Sequence, residues 1–576
     1  MEFLVTLPTR RNPHSGKQEE KRKHSVYSNK ENVNILTALL VAHGISDAVV
    51  CPGSRNAPIV HNLDECPQIA CHPVTDERSA GFYALGMAQA SGRPVVVCVT
   101  SGSALLNVVP AVAEACYQHV PLVVVSADRP QQWIGQLDGQ TLPQPGAFGP
   151  FVALSVTLPE PRDSEERWYC NRLVNEALLK LPSCIHINVP ISEPLFEFAT
   201  TQLPSERTIV GITPGTDYDC LHPDFINAVA NAERPMIVFG QLSPRDFTGE
   251  GTDYLFSHII VLHESLSPMN GVSHFDEVIA RLQDNAEMAV ALQPDVVVHV
   301  GGATVSKRLK RLLRSSNCEV WRISSTPEVE DTFQHLRGIV VGDPEAVLQS
   351  LSYKLSKVTR TNRAAMDYRR MWLHLLSEAR NRAAVYAPLY SQMAVIKIFE
   401  QELQQHGAPI EVHYANSSAI RLANIYARHH VWCNRGVNGI EGSLSTAAGF
   451  SLATDTKTCC IIGDLSFFYD QNALWNTELG GNLRILLLNN GGGGIFSQLP
   501  GLERSKACQR LVAAAHQTSA RGICEQHHVG YFTACDMSQL QTAINHLLYE
   551  QSSRPVLLEV FTTAEADREA ITAYLA

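Results

Sequence analysis

The stretch that decides the fold is TCCIIGDLSFFYDQNALWNTELGGNLRILLLNNGGGG, residues 458–494. It contains two short apolar runs, TCCIIGD and RILLLNN, which end at Asp464 and at Asn490. Short apolar runs bounded by turn-forming residues are typical of buried strands. The helical segment between them predicts a strand, a helix and a second strand of one parallel sheet, because parallel neighbours need such a crossover. The carboxyl ends of both strands then lie at one edge of the sheet, where ligands bind in folds of this class.

The polar groups at this edge are of the kind that hold a divalent cation. The carboxylate of Asp464, the amide oxygen of Asn490 and a backbone carbonyl in the glycine run, at Gly492, form a hard-oxygen set for Mg²⁺, or for Mn²⁺ in its place. Such a site usually takes further ligands from phosphate. Gly463 precedes a helix that we expect to begin near Leu465, and a helix N-terminus favours a diphosphate. The sequence therefore predicts a metal-assisted diphosphate site.

The alternation of short β-branched runs with helical stretches continues toward the N-terminus. Examples are PMIVFGQ and PDVVVHVGG in the middle of the chain and RPVVVCVT and VPLVVVSAD before it. The pattern predicts an α/β protein with three doubly wound parallel-sheet domains. The expected segments are an unstructured tail at 1–29, a first domain at 30–200, a middle Rossmann-like domain at 205–355, a helical linker at 356–385 and a third domain at 386–576.

The first and third regions resemble each other at a nearly constant offset of about 364 residues. Glu77 aligns with Glu441, and residues 95–98 align with residues 459–462. One explanation is the rhythm that any two doubly wound domains share. A duplication with divided roles is better supported, because the matching turns carry different polar residues: TDER in the first copy, and Gly463-Asp464 in the third.

Composition limits what the chain can bind. The 576 residues include 46 Lys and Arg against 57 Asp and Glu, a net charge of −11, so no general basic field attracts nucleic acid or anionic lipid. Charged residues make up 18% and apolar residues 45%, which favours surface shared with a second subunit. The 15 cysteines lack zinc-ligand spacing, and we find neither a signal peptide nor a membrane-spanning run. We therefore expect a reduced, cytoplasmic protein.

The GD and NN pair resembles the signature of thiamine-diphosphate enzymes, a GDG followed at a similar distance by NN. In this chain Leu465 stands where the third glycine would be. The resemblance implies a pyrimidine-binding domain, a middle domain and a diphosphate-binding domain, of which the first and last are alike. It places Glu77 against the pyrimidine ring, where a carboxylate protonates the ring nitrogen and so activates the cofactor. It also makes Ile440 the bulky aliphatic residue that keeps the cofactor folded.

Ten motifs, found in both outer domains and in the middle one, narrow this resemblance, which extends over about residues 30 to 560. They are CPGSRNAP (51–58), TDERSAGFYALGMA (75–88), TSGSALLNVVPAVAEA (100–115), SADRP (126–130), QTLPQPGAF (140–148), SKRL (306–309), ANSSAIR (415–421), NRGVNGIEG (434–442), GDLSFFYD (463–470) and NNGGGGIFSQLP (489–500). The set is similar to one family, the 2-succinyl-5-enolpyruvyl-6-hydroxy-3-cyclohexene-1-carboxylate synthases of menaquinone (vitamin K2) biosynthesis. This family accepts leucine at the third position of GDG.

The reaction of that family accounts for the arginines of an otherwise acidic chain. Its members are transferases of the carboligase type, which decarboxylate 2-oxoglutarate and add the resulting succinic-semialdehyde carbanion to isochorismate in a 1,4-addition. Both substrates carry carboxylates, which guanidinium groups bind through paired hydrogen bonds. Arg55 and Arg129 follow predicted strands, and Arg421 lies one helical turn after Ser417. These positions suit carboxylate recognition at strand ends.

The resemblance implies a role for each remaining site residue. The cofactor-binding set is Glu77, Ile440, Gly463, Asp464, Leu465, Ser466, Asn490, Gly492, Ile495 and Phe496, with Glu77 and Ile440 catalytic and with Asp464, Asn490 and Gly492 holding the metal. The substrate-binding set is Ser417 and Arg421 for the succinyl carboxylate, and Ser54, Arg55, Arg129, Gln140, Lys307, Arg308 and Arg435 for the isochorismate side. Lys310, Arg311 and Arg314 make the helix of Lys307 basic throughout, as a solvated face would be.

The assembly and the alternatives follow from the same resemblance. In the superfamily the pyrimidine and diphosphate sites come from different subunits, which implies a homodimer or a homotetramer. No histidine is expected to be catalytic, because the cofactor carries the difficult step. The alternatives are another thiamine-diphosphate 2-oxoacid carboligase or decarboxylase, and an inactive regulatory homologue. A flavoprotein is disfavoured, because HVGGATVS (299–306) is only a glycine pair and not a GxGxxG motif.

Overall fold

The computed structural model describes residues 26–211, 221–357, 362–498 and 501–576. The chain divides into two compact units. The first unit runs to Ile212 and includes the short segment Trp475–Glu478, and the second unit contains the remainder. One parallel sheet lies in the first unit and two lie in the second. The predicted α/β class with three parallel-sheet domains is confirmed.

The first unit is built on a six-stranded parallel sheet in the order β3-β2-β4-β5-β7-β6. The strands of the first unit, of which β1 and β8 lie outside this sheet, are β1 (Tyr27–Ser28), β2 (Asp47–Val50), β3 (Ala70–Pro73), β4 (Val95–Val99), β5 (Leu122–Asp128), β6 (Leu154–Thr157), β7 (Ile185–Pro190) and β8 (Phe198–Thr200). Its helices are α1 (Glu31–Ala42), α2 (Ala57–Glu65), α3 (Glu77–Ser91), α4 (Ser103–Asn107), α5 (Val109–Gln118) and α6 (Ser164–Leu178).

The sequence explains the centre of this sheet. All five residues of β4, VVVCV, are buried, as expected of a parallel strand covered on both faces. Helix α3 begins where the Asp76 carboxylate accepts hydrogen bonds from the backbone N–H groups of Arg78 and Ser79. It ends at Gly92, whose φ of 69° is the left-handed conformation of a helix C-terminus. The helix therefore starts directly after the predicted TDER turn.

The predicted N-terminal tail, residues 1–29, is wrong at its C-terminal end. Strand β1 pairs antiparallel with β8, outside the main sheet. The buried Ser28 donates its backbone N–H to the Asn62 Oδ1 atom over 2.7 Å, so this strand is attached to helix α2. Residues 1–25 lie outside the described part of the chain.

The middle sheet, in the second unit, has five parallel strands in the order β10-β9-β11-β12-β13. Its strands are β9 (Pro235–Phe239), β10 (Ile260–His263), β11 (Val296–Val300), β12 (Glu319–Ser324) and β13 (Leu336–Val341). The helices of this region are α7 (Pro223–Asn231), α8 (Asp253–His258), α9 (Phe275–Ala280), α10 (Ala286–Ala291), α11 (Lys307–Ser315), α12 (Pro344–Ser356) and α13 (Arg363–Val385).

Helix α13 occupies most of the predicted linker at 356–385, but it is more than a linker. Tyr368, Trp372 and Leu376 belong to the apolar core of the middle sheet, and Trp372 is completely buried. The Tyr368 hydroxyl also donates to the Leu292 carbonyl over 2.8 Å. The helix is therefore part of the middle layer.

The third sheet has five parallel strands in the order β14-β15-β16-β18-β17. Its strands are β14 (Ile410–Tyr414), β15 (Lys457–Gly463), β16 (Leu483–Asn489), β17 (Gly530–Ala534) and β18 (Val556–Phe561). The helices of this region are α14 (Gln392–Gln405), α15 (Ser418–Tyr426), α16 (Ser443–Leu452), α17 (Asp464–Tyr469), α18 (Arg521–Gln526), α19 (Met537–Tyr549) and α20 (Ala564–Leu575). Leu266 and Val305 of the middle region share the core of this sheet, so the two regions pack together.

The first and third sheets have the same central arrangement. Three adjacent strands, β2, β4 and β5, run in the same order as β14, β15 and β16. The aligned residues 95–98 and 459–462 lie in β4 and β15 respectively, and the next strand of each sheet is β5 in the first and β16 in the third. The predicted likeness of the first and third domains is thus confirmed.

The helices and the cysteines give two further facts. No helix within the described ranges is long and apolar enough to cross a membrane. The cysteines of the described chain are free thiols, and most of them are buried. Burial raises the pKa of the Cys98 thiol to about 12.

Candidate active site

Asp464 directly follows strand β15 and lies at the centre of a tight turn. Its side chain is nearly buried, at 3% exposure. The Oδ2 atom accepts hydrogen bonds from the backbone N–H groups of Asn490, Gly491 and Gly492, at 3.2, 2.9 and 2.9 Å. The φ angles of Gly491 (78°) and Gly492 (149°) are ones that L side chains rarely adopt. The glycine run therefore allows the chain after β16 to fold around this carboxylate.

His516 is a neighbour of Asp464 that sequence reasoning missed. Its Nε2 atom lies 3.4 Å from the Asp464 Oδ2 atom and is buried without a hydrogen-bond partner among the described residues. The backbone N–H of Thr518 donates to the His516 Nδ1 atom over 3.0 Å, which leaves the proton of a neutral ring on Nε2. No spacing signal in the sequence connects this histidine with Asp464, because it comes from a separate loop.

A carboxylate besides Asp464, which was not predicted, holds Asn490. Its Nδ2 atom donates to the Asp567 Oδ2 atom over 2.8 Å, and the Gln392 backbone N–H donates to Asp567 Oδ1 over 2.7 Å. Burial raises the pKa of the Asp567 carboxyl, and its hydrogen bonds oppose that shift. Because the amide nitrogen of Asn490 is engaged, its Oδ1 atom remains as the group that can face a cation.

The donor set fits a hard divalent cation. No three His, Cys, Asp or Glu side chains form a metal-binding group within the described ranges, so a cation here would need the Asn490 amide and the Gly492 carbonyl as well as Asp464. Oxygens of this kind suit Mg²⁺ or Mn²⁺ with phosphate completing the shell. Burial raises the pKa of the Asp464 carboxyl, and a bound cation would act in the opposite direction.

Helix α17 begins at Asp464, next to the predicted start near Leu465, and it is only six residues long. The Leu465 N–H donates to the Asp464 Oδ1 atom over 2.6 Å, so this amide is not free for a phosphate. Gly463 is the last residue of β15, and Ser466 lies buried in the first turn of α17.

The predicted apolar cofactor contacts lie on short irregular segments. Ile495 and Phe496 are half-buried in the 3₁₀ helix Gly494–Gln498. A Cβ atom on Gly493 would come within 2.6 Å of the Phe496 ring, so the ring packs on the glycine backbone. Ile440 lies in the loop before α16 with 44% of its side chain exposed.

Four basic side chains of the second unit converge, and we call them the basic cluster: Arg308, Lys310, Arg421 and Arg435. The Nε atoms of Arg421 and Arg435 are buried and have no hydrogen-bond partner among the described residues. Burial, followed by the positive charge of Arg435, lowers the pKa of Arg421. The same two causes lower the pKa of Lys310. Buried donors without partners in a group of cationic side chains are the arrangement expected of an anion site.

Two acidic residues lie beside the basic cluster. Glu264 is fully buried and accepts the backbone N–H groups of Val305 and Ser306 at 2.6 and 2.7 Å. Asp276 pairs with Arg308 at 2.5 Å and accepts the hydroxyl of Ser306, the N-cap of α11. The sequence predicted Arg308 but neither carboxylate. Lys307, the first residue of α11, is exposed, and neither a hydrogen bond nor an ion pair is found for its side chain in the described structure.

Ser417 and Arg421 lie at the N-terminal end of helix α15. Ser417 immediately precedes the helix with a φ of 74°, a strained conformation for a residue with a side chain. Arg421 lies one turn further on, half-buried. The Arg435 Nη1 atom donates to the Asn416 Oδ1 atom over 3.0 Å, which ties Arg435 to the start of the same helix. The structure therefore brings together four predicted substrate-binding residues: Ser417, Arg421, Arg435 and Arg308.

In the first unit, Glu77 is the first residue of α3 and is half-buried. The Asn107 Nδ2 atom lies 3.4 Å from its Oε2 atom. Among the causes that raise the pKa of the buried Cys51 thiol, the charge of Glu77 is second to burial itself. Glu77 therefore lies close to the loop after β2 as well as to α4, at the carboxyl edge of the sheet.

The other predicted residues of the first unit lie on loops at the same edge. Arg55 is buried and donates to the Ile191 carbonyl and to Glu193, while Ser54 beside it is exposed. Arg129 follows β5 and pairs with Asp138 at 3.4 Å, and its Nε atom is buried without a partner in the described chain. Burial and the charge of Arg129 lower the pKa of Arg55, so the two guanidinium groups are neighbours.

Gln140 lies beside the turn that follows β4. A Cβ atom on Gly102, whose φ is 85°, would come within 3.1 Å of the Gln140 carbonyl oxygen. The buried Gln144, which was not predicted, accepts the Gly102 N–H and donates to the Ala127 carbonyl. It thereby joins the loop after β4 to strand β5.

Models of known protein families match two parts of this chain. Two family models match, described as "Thiamine pyrophosphate enzyme, N-terminal TPP binding domain" over residues 31–146 and "Thiamine pyrophosphate enzyme, C-terminal TPP binding domain" over residues 415–560. These matches cover the central strands β2, β4 and β5 of the first sheet and β15 and β16 of the third. The chain is therefore a thiamine-diphosphate-dependent enzyme of the carboligase type.

Full-length relatives define the family. A 2-succinyl-5-enolpyruvyl-6-hydroxy-3-cyclohexene-1-carboxylate synthase of Bacteroides fragilis is 44% identical over 564 residues, covering 95% of this chain and 99% of the relative. The enzymes of that name from Bacteroides thetaiotaomicron and Porphyromonas gingivalis are 43% and 33% identical, covering 95% and 93% of this chain and 99% and 95% of the relatives. The chain belongs to the 2-succinyl-5-enolpyruvyl-6-hydroxy-3-cyclohexene-1-carboxylate synthase family.

Proposed function

We propose that the chain catalyses the decarboxylation of 2-oxoglutarate and the 1,4-addition of the resulting four-carbon unit to isochorismate, giving 2-succinyl-5-enolpyruvyl-6-hydroxy-3-cyclohexene-1-carboxylate and CO₂ in menaquinone biosynthesis. Family membership supports the reaction. The observation that carries the substrate assignment is the pair of buried, unpartnered Nε atoms of Arg421 and Arg435. A site that consumes pyruvate alone would have no need for two such donors.

Thiamine diphosphate, when bound, supplies the thiazolium carbon at which a 2-oxo acid can lose CO₂. In this proposal Glu77 holds a proton at the pyrimidine ring, for which a half-buried carboxylate at a helix start is suited. Asp464, Asn490 and Gly492 would hold the metal, Mg²⁺ or Mn²⁺, that anchors the diphosphate. Ile440, Ile495 and Phe496 would pack against the cofactor and exclude water from it.

The basic cluster would bind and orient the substrate carboxylates. Ser417 and Arg421, one helical turn apart on α15, would hold the succinyl carboxylate of the donor. Arg435, Arg308 and Lys307 would face isochorismate from the second unit. Ser54, Arg55, Arg129 and Gln140 would contribute from the first unit, at the edge where their loops lie. Two neighbouring guanidinium groups there, Arg55 and Arg129, match an anionic acceptor.

The first experiment is a depletion assay with purified protein. Isochorismate absorbance is followed in the presence of thiamine diphosphate, Mg²⁺ and 2-oxoglutarate, with each component omitted in turn. Loss of isochorismate that requires every component supports the proposal. Consumption of pyruvate instead would move the protein to another carboligase or decarboxylase activity, and binding of cofactor without turnover of either acid would support an inactive regulatory homologue.

We also propose a homodimer as the minimum active assembly, or a homotetramer, as the thiamine-diphosphate superfamily implies. A mixing experiment tests this. Glu77→Gln and Asp464→Asn each remove a different half of the proposed site, so subunits of the two inactive variants should regain activity when refolded or exchanged together. Absence of complementation in mixed oligomers, with mixing confirmed by differently tagged subunits, would contradict a site shared between copies.

A further inference from the structure

Three buried polar side chains lie side by side near the carboxyl edge of the first sheet. Gln144, in the segment between β5 and β6, and Asn188, on β7, are completely buried, and Asp128 at the end of β5 is 3% exposed. We call these three side chains the buried network. All of them lie in the first unit, and none was predicted to bind cofactor or substrate. Burying polar groups costs free energy unless they are hydrogen-bonded, so the partners of each one indicate what it does.

The Gln144 amide connects the turn after β4 to strands β5 and β7. Its Oε1 atom accepts the Gly102 N–H over 2.7 Å. Its Nε2 atom donates to the Ala127 carbonyl over 3.0 Å and to the Asn188 Oδ1 atom over 2.8 Å. Because a backbone N–H only donates and a backbone carbonyl only accepts, these two backbone partners allow a single orientation of the amide.

Asn188 continues the network toward Arg129. Its Nδ2 atom donates to the Asp128 Oδ2 atom over 2.8 Å, and the Asp128 Oδ1 atom accepts the Arg129 backbone N–H over 2.8 Å. The orientation of Asn188 is therefore fixed as well, since its nitrogen faces a carboxylate and its oxygen faces Gln144. No member of the network can turn without losing hydrogen bonds, so the network holds the backbones of Gly102 and Arg129 in one arrangement.

Both ends of the buried network meet residues that are proposed to bind the acceptor. A Cβ atom on Gly102 would come within 3.1 to 3.2 Å of three backbone atoms of Gln140, so this turn packs against the Gln140 backbone. Gln140 has a φ of 56°, a left-handed conformation that persists only where the surrounding structure holds it. The Arg129 Nη2 atom donates to the carbonyl of Gly139, directly before Gln140, over 3.2 Å. The network therefore supports Gln140 from two sides.

We propose that Gln144 is a positioning residue, which fixes the backbones of Gln140 and Arg129 so that both side chains meet isochorismate in one arrangement. It acts through Gly102 on the first and through Asn188 on the second. Gln144 itself touches no substrate in this proposal. A displacement of about 1 Å in a site can cost about 100-fold in rate, so support of this kind affects the reaction. The inference rests on the proposed function for the assignment of Gln140 and Arg129 to the acceptor.

The test compares Gln144→Met with Asn175→Leu, each of which replaces a completely buried amide of the first unit by an apolar side chain of similar size. Asn175, on α6, has other partners: His43, Asn171, Arg207 and Ile209. We expect both variants to lower the thermal midpoint. Only Gln144→Met should raise the KM for isochorismate, by about tenfold, while the KM for 2-oxoglutarate and the affinity for thiamine diphosphate stay within about twofold.

Hydrogen exchange of the holoenzyme measures the positioning without turnover. Peptides that contain Gly102 and Arg129 should exchange faster in Gln144→Met than in the wild type, and Asn175→Leu should leave them unchanged. Asn188→Ala removes only the arm that leads to Arg129, so it should speed exchange there and leave Gly102 protected. This variant also provides the kinetic comparison if Gln144→Met does not fold.

The outcomes separate this inference from the proposed function. An unchanged KM for isochorismate in Gln144→Met, or an equal rise in Asn175→Leu, would overturn the positioning role and leave the proposed function intact. A wild type that does not consume isochorismate would refute the proposed function and, with it, the acceptor assignment. Hydrogen exchange would then still decide whether Gln144 fixes the two backbones, and exchange rates equal to those of the wild type would overturn that part.

Discussion

The guanidinium group of Arg308 lies 2.5 Å from the carboxylate of Asp276, measured from Nη1 to Oδ2. The same carboxylate accepts the Ser306 hydroxyl at the start of α11, and its charge also acts on Arg421. Asp276 therefore neutralises part of the positive charge that a substrate carboxylate would otherwise meet.

We expect Asp276→Asn to lower the KM for isochorismate severalfold. The amide keeps a hydrogen bond to Ser306 but releases Arg308 and removes one negative charge from the basic cluster. A tenfold change corresponds to about 1.4 kcal/mol, which is an upper limit for an ion pair that is one-third exposed. Steady-state kinetics at low and high salt measure the effect, which salt should reduce. Asp253→Asn, an exposed carboxylate at the start of α8, is the control. A higher KM would instead make Asp276 a residue that orients Arg308.

The buried Glu264 gives a prediction about stability and pH. Burial raises its pKa from 4.5 to about 7, against the lowering effect of its two backbone hydrogen bonds. A carboxyl with a raised pKa favours the folded protein fully below its unfolded pKa and loses that contribution as the pH rises through the folded pKa. Between pH 4.5 and 7 the wild type should therefore lose stability, on the order of 3 kcal/mol, through this group.

Glu264→Gln removes the ionisation. Because an amide cannot accept both backbone N–H groups, we expect the variant to be less stable at pH 5. Its deficit should shrink as the pH rises to 7.5. The measurement is the difference in thermal midpoint between variant and wild type across this range. Glu287→Gln, an exposed residue of α10, should show no such trend. A deficit that is constant with pH would contradict an elevated pKa.

Glu77→Gln tests the proposed proton-holding residue. The substitution keeps the shape of the side chain at the start of α3 but removes its acidic proton. We expect turnover to fall by about 10² to 10⁴ while the fold and cofactor binding are retained. Circular dichroism and titration with thiamine diphosphate provide the check on folding and binding. Glu176→Gln, exposed on α6 of the same unit, should behave as wild type. Turnover within tenfold of wild type would exclude Glu77 from this role.

Asp464→Asn should weaken cofactor binding. It should not change the fold of the first unit, which does not contain Asp464. The amide keeps the size of the side chain but loses the charge that would bind the cation, so the affinity for thiamine diphosphate in the presence of Mg²⁺ should fall by about 100-fold or more. Fluorescence titration with and without EDTA measures it. Asp455→Asn, an exposed residue before β15, is the matched control. Unchanged metal-dependent binding would place the metal elsewhere.

The strand ends were predicted correctly, because strands buried on both faces of a parallel sheet appear in the sequence as short, continuous apolar runs. The five apolar residues of β4 and the apolar runs that became β15 and β16 fall where they were expected, with Asp464 and Asn490 at their ends. Arg55, Arg129 and Arg421 were predicted for a related reason, since they follow recognisable strands or a helix start, whereas Arg308 and Arg435 were predicted from the family motifs.

The residues that support the site left no such signal. Asp567 and His516 reach the Asp464 turn from distant loops or helices, and Asp276 reaches Arg308 across 32 positions of the chain. Such pairs are brought together by tertiary packing, so their spacing in the sequence follows neither the helical nor the strand repeat. For the same reason the sequence predicted only a linker at helix α13. Trp372 packs against the middle sheet, whose strands lie outside residues 356–385.

At Ser417, the residue that the backbone conformation favours for stability differs from the residue that the proposed function needs. At a φ of 74°, glycine would relieve a strain of about 1 kcal/mol or more, so selection for thermal resistance alone would favour Ser417→Gly. The hydroxyl that this change removes is the one proposed to hold the donor carboxylate. Persistence of serine here in an enzyme engineered for heat tolerance would therefore mark a position where activity, and not folding, decides the residue.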